Sequence, residues 1–160
     1  MAWKANVLVV ANVTAASAEL VDALRARAEA GLAEFTLIVP ATGGGRAGRE
    51  AAERSLEAAL QRLRDAGLEV QGEVGDPDPL IAVKEIWNPG EFDEIVVSTL
   101  PTGASKWLQV DLPHRIEKLT GGCQVTHVVA EPPRPEPHTE PAPRPEKQGL
   151  LAPLMAALRR

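Results

Sequence analysis

Hydrophobic positions follow two rhythms along this chain. Short unbroken apolar runs, such as Val7-Leu8-Val9-Val10-Ala11, alternate with stretches where apolar residues recur every three or four positions. The first rhythm marks strands buried on both faces, and the second marks amphipathic helices. Strands are expected at 7–11, 35–39, 68–74, 94–98 and 125–130. The helix after the first strand begins at Ser17, whose hydroxyl can accept from free first-turn amides, and ends at Gly31 as a left-handed stop. Ala52, Leu56, Ala59, Leu60 and Leu63 make one stripe of a helix over 50–66, with Glu50 and Arg54 spaced as an i,i+4 pair and Gly67 as its stop. A third helix covers 79–87, with Pro79 tolerated at its start, and a short fourth runs from Asp111 or Leu112 to Leu119.

A β-α rhythm repeated four times and closed by a last strand predicts an α/β fold. Right-handed crossovers give an open five-stranded parallel sheet with helices on both faces. The switch point is expected beside the first strand, as in flavodoxin-like or related sheets, and ligands bind outside the carboxyl ends of the strands at such a point.

The rhythm stops at Glu131. Seven of the fourteen prolines lie between 131 and 148, interleaved with Glu, Arg and Lys, a composition expected to form an extended, disordered spacer. Residues 149–160 turn apolar again. Leu150, Leu151, Leu154 and Leu158 mark a short helix or docking peptide ending in Arg159-Arg160. A partner groove, fold-back onto its own domain and, less favoured, a membrane surface are the alternatives for it. Three segments follow: an α/β domain over 1–130, a spacer over 131–148 and an apolar peptide over 149–160.

Composition narrows the function classes. A net charge of −5 with mixed signs along 160 residues argues against nucleic-acid binding. A single cysteine, Cys123, leaves no intramolecular disulfide and no multi-cysteine metal site. No secretion signal or membrane-length apolar run is visible, so a cytoplasmic location is the expectation. His114, His127 and His138 have no ligand spacing, and the pair worth testing is His114 with Asp111. No catalytic constellation is found, and the chain is expected not to be an enzyme.

The leading ligand loop is Thr99-Leu100-Pro101-Thr102-Gly103-Ala104-Ser105-Lys106-Trp107, which brings hydroxyls, a cation and a glycine to the end of the fourth strand. The plain alternative is a structural loop whose hydroxyls cap turns. Gly43-Gly44-Gly45-Arg46-Ala47-Gly48 matches a dinucleotide fingerprint, but a flexible crossover loop is the better reading, because a strand and a helix already precede it. Asp76 and Asp78, flanked by prolines, read as turn and capping residues.

The order of elements, the Gly75-Asp76-Pro77 turn followed by Ile81, and the run from Ile95 to Ile116 together resemble the universal stress protein family over about residues 4–130. That resemblance implies a five-stranded α/β fold, ATP at the carboxyl strand edge and homodimerisation through the last strand. It also implies a phosphate loop of glycine, two residues, glycine, nine residues, then glycine and Ser or Thr. Laid on this chain without gaps, those positions are Val97, Leu100, Val110 and Asp111, none of them glycine and the last a carboxylate; a register shift keeps Gly103 as a phosphate-loop glycine, with Ser98, Thr99, Ser105 and Lys106 as donors, but not the whole pattern. Asn12 stands where the family has an acidic residue. The implied nucleotide contacts are Asn12, Gly75, Ser98, Thr99, Gly103, Ser105 and Lys106. The expectation is a non-catalytic regulatory or stress-response protein, dimeric, with a weakened or absent ATP site. A nucleotide switch using the loop after strand 4, and a scaffold docking a partner through its C-terminal peptide, are the alternatives.

Overall fold

The computed structural model describes residues 3–101 and 103–131. The apolar peptide with Leu150, Leu151, Leu154 and Leu158, and the proline-rich spacer before it, lie outside the described residues. Ten elements follow in chain order: β1 (Ala5–Val10), α1 (Ala18–Ala30), β2 (Ala33–Pro40), α2 (Gly45–Asp65), β3 (Val70–Gly75), α3 (Pro79–Ile86), β4 (Glu94–Thr99), α4 (Lys106–Gln109), α5 (Leu112–Leu119) and β5 (Val125–Val129).

The five strands form one parallel sheet in the order β3-β2-β1-β4-β5. This is not the flavodoxin order, but the switch point does lie beside β1, between it and β4. Because alternate strand residues face opposite ways, each apolar run feeds two cores. Val7 and Val9 join Phe35, Leu37 and Val39 under α1 and α2, whereas Leu8 and Val10 join Ile95 and Val97 under α3 and α5. Helices therefore cover both faces, as the sequence predicts.

Three local expectations need correction. Helix α2 begins at Gly45, five residues before Glu50, so the glycine stretch starts a helix rather than forming a long loop. Gly31 is extended at φ 171°, not left-handed, whereas Gly67 does take the left-handed stop at φ 85°. Glu50 pairs back with Arg46 at 3.1 Å, and Arg49 pairs with Glu53, because the earlier helix start puts those arginines one turn upstream.

The Gly75-Asp76-Pro77 turn is built as its residue types suggest. Asp76 Oδ1 accepts from the Asp78 amide and Asp78 Oδ1 accepts from the Leu80 amide, each at 2.9 Å, so Asp78 caps α3. Asp78→Ala is expected to cost about 1 kcal/mol, read as a lower urea midpoint; an unchanged midpoint would remove the cap from the account.

Candidate functional site

Where β1 and β4 part company, their following loops leave a cleft of about 300 Å³ at the carboxyl edge of the sheet. Three segments build it. The turn after β1 supplies Asn12, Val13 and Thr14, the loop after β2 supplies Thr42, and β4 with its loop supplies Ser98 to Leu100 and Ala104 to Trp107. Of the seven residues expected from sequence, Asn12, Ser98, Thr99, Ser105 and Lys106 meet here.

Gly75 and Gly103 do not line the cleft. A Cβ on Gly75 would stand 2.7 Å from Ala82 Cβ and 2.9 Å from Ile38 Cγ2, so this glycine lets β3 pack closely on α3. Gly103 sits in open space at φ 96° and makes the turn into α4 possible. Thr14 and Thr42 belong to the cleft and were not expected there. Their one sequence signal is a hydroxyl residue just past a strand end.

The hydroxyls differ in what they can offer a ligand. Thr99 donates to the Leu100 carbonyl at 2.8 Å and lies 2.7 Å from His127 Nε2. With the threonine proton committed, His127 must supply Nε2–H, and the partial desolvation of its ring, on a residue otherwise open to solvent, pushes its pKa down, favouring that neutral ring. Ser105 caps α4 by accepting from the Leu108 amide at 3.3 Å. Thr14 and Ser98 are buried and lie 2.7 Å apart, hydroxyl to hydroxyl. Two hydroxyls carry two protons and their mutual bond uses one. Among the described residues no other acceptor takes the second, so the pair can donate it into the cleft.

Among the described residues, Lys106 is the one cation that lines the cleft, and no carboxylate does. Among the described residues no acidic side chain pairs with Lys106. Val13, Leu100, Ala104 and Trp107 give the remaining wall an apolar character. The cleft therefore has a cationic end, neutral donors and an apolar, partly aromatic wall. That combination suits an anion attached to a flat organic group.

Asp111 is left-handed at φ 51°, a conformation that favours glycine and that aspartate visits more readily than most residues, and Ser98 rather than Val97 lines the cleft.

The remaining candidates are structural. His114 Nδ1 faces Glu117 Oε2 at 3.9 Å on the surface of α5, so its acidic neighbour is Glu117 and not Asp111, which lies at the helix start. Asp93 Oδ2 accepts from the Asn6 amide, and Glu94 pairs with Arg27 at 2.7 Å, tying the start of β4 to β1 and α1. Burial, reinforced by Glu94 and Asp93, pushes the Cys123 thiol up and away from its reactive thiolate form. No group of three or more metal-ligating side chains occurs among the described residues. No helix among them is long and apolar enough to cross a membrane.

No protein-family model matches the chain, and no curated protein matches it. Among solved structures, the chain is similar to a universal stress protein in complex with cAMP. The TM-score is 0.52 at 21% identity, over 82% of this chain and all of that one. At that identity the likeness speaks to the fold: five parallel strands with helices on both faces, arranged as in a universal stress protein.

Proposed function

We propose that this chain, which carries the universal stress protein fold, is a non-catalytic regulatory or stress-response protein that binds a small nucleotide at the β1/β4 switch point. One observation carries the reading. Asn12, the Thr14–Ser98 pair, Lys106 and Trp107 converge on a single cleft, although they are scattered over some ninety residues of sequence. The universal stress protein similar in fold was crystallised with cAMP, which makes a nucleotide the natural first ligand to test. ATP, the cofactor implied by the sequence resemblance, remains the second candidate, through a site whose loop glycines are replaced. The non-catalytic reading rests on the cleft's residue types, since among the described residues no cysteine, histidine or carboxylate lines it.

Calorimetric titration of cAMP into the full-length protein tests the proposal. Lys106→Ala is expected to weaken binding about tenfold, because it removes a charge-assisted contact of roughly 1.4 kcal/mol. Lys106 is exposed, so its removal leaves the core untouched. An unchanged affinity would place the ligand somewhere other than this cleft.

Homodimerisation through the last strand is part of the same proposal. In support, β5 is an edge of the sheet, with Thr126, His127 and Val129 exposed. Light scattering would read a monomer mass if that edge stays unpaired in solution.

A further inference from the structure

We infer that the cleft selects a singly charged ligand, one phosphate group carried on a flat apolar moiety, over di- and triphosphates. The inference rests on the nucleotide reading of the cleft and adds the ligand's charge class.

The argument is a charge balance. Among the described residues, Lys106 is the only cation that lines the cleft, and none of the described lining residues is acidic. One phosphate with a single negative charge is matched by one ammonium. A triphosphate adds about three further negative charges, and the lining has no cation left to meet them. Magnesium carried on the triphosphate offsets two of its charges and leaves about two, still more than one ammonium matches.

Size points the same way. At about 300 Å³ the cleft lies at the small end of ligand sites, which run roughly 300–1,000 Å³. The rest of its wall, including Val13, Leu100 and Trp107, is apolar and favours a ring over a phosphate chain.

The test is a charge ladder on the full-length protein, with cAMP, AMP, ADP and ATP titrated by calorimetry at one ionic strength, with and without Mg²⁺. Affinity is expected to fall at each step, with metal-free ATP at least tenfold weaker than cAMP. ATP binding as tightly as cAMP, in either condition, overturns the inference and leaves the nucleotide reading standing. No binding by any of the four overturns both. A second variant separates charge from size. Ala104 is exposed on the rim of the cleft, so Ala104→Lys adds a cation without entering the core. The ratio of cAMP to ATP affinity should shrink severalfold in that variant, and an unchanged ratio overturns the charge argument.

Discussion

Phe35→Ala is expected to destabilise the protein by about 3–5 kcal/mol, a large share of the roughly 5–15 kcal/mol that holds a domain of this size together. Phe35 is fully buried in β2, in register with Val7 of β1 and Val70 of β3. It belongs to the core under α1 and α2, where its neighbours are otherwise Val, Leu and Ala. The chain has two Phe and no Tyr, so small aliphatic side chains must fill whatever volume the ring vacates. They cannot, because they are held on strands and helices whose spacing is fixed by the sheet. Urea unfolding reads the loss directly. A drop below about 1 kcal/mol would mean that the core relaxes around the hole, contrary to the packing described. Phe35→Leu keeps most of the volume and should fall well short of the alanine effect.

Gly48→Ala is expected to cost about 2 kcal/mol, although alanine is the better helix former. A Cβ at position 48 would stand 2.1 Å from the Thr42 carbonyl oxygen and 3.0 Å from that of Gly43. Both are backbone atoms, so no side chain can swing away. Alanine gains about 1 kcal/mol in helix propensity over glycine, whereas forcing the backbone apart costs about 3 kcal/mol, so the clash wins. Thr42 lines the cleft and its amide donates to the Gly48 carbonyl at 3.4 Å. Gly48→Ala should therefore lower the urea midpoint and, under the proposed function, also weaken cAMP binding. Wild-type stability in this variant would refute the close approach of loop and helix.

Position 48 also shows where the sequence stops being readable. The strands are visible because β1 and β4 are buried on both faces and show it as unbroken apolar runs. The start of α2 is hidden because three consecutive glycines look like a loop, and only the folded backbone reveals that Gly48 is needed for a close contact. Gly75 misleads for the same reason. A glycine that admits a phosphate and one that admits Ala82 look alike in one dimension. Ser98, Thr99, Ser105 and Lys106 could be proposed as site residues because polar residues after a buried strand fall at the sheet's ligand-binding edge. Thr14 could not, because its importance lies in a bond to a residue 84 positions away. The left-handed Asp111 is equally silent in the sequence, since aspartate is common at helix starts in ordinary geometry.

The boundary inside β4 bears on how such a protein changes over generations. Ile95, Val96 and Val97 fill the two cores, and the very next residues, Ser98 and Thr99, open onto the cleft. Selection on the ligand therefore acts mainly on the strand's last two positions and the loops beyond them, while selection on folding acts on the three before. The cleft's lining on this strand can therefore change without disturbing the packing of the sheet beneath it.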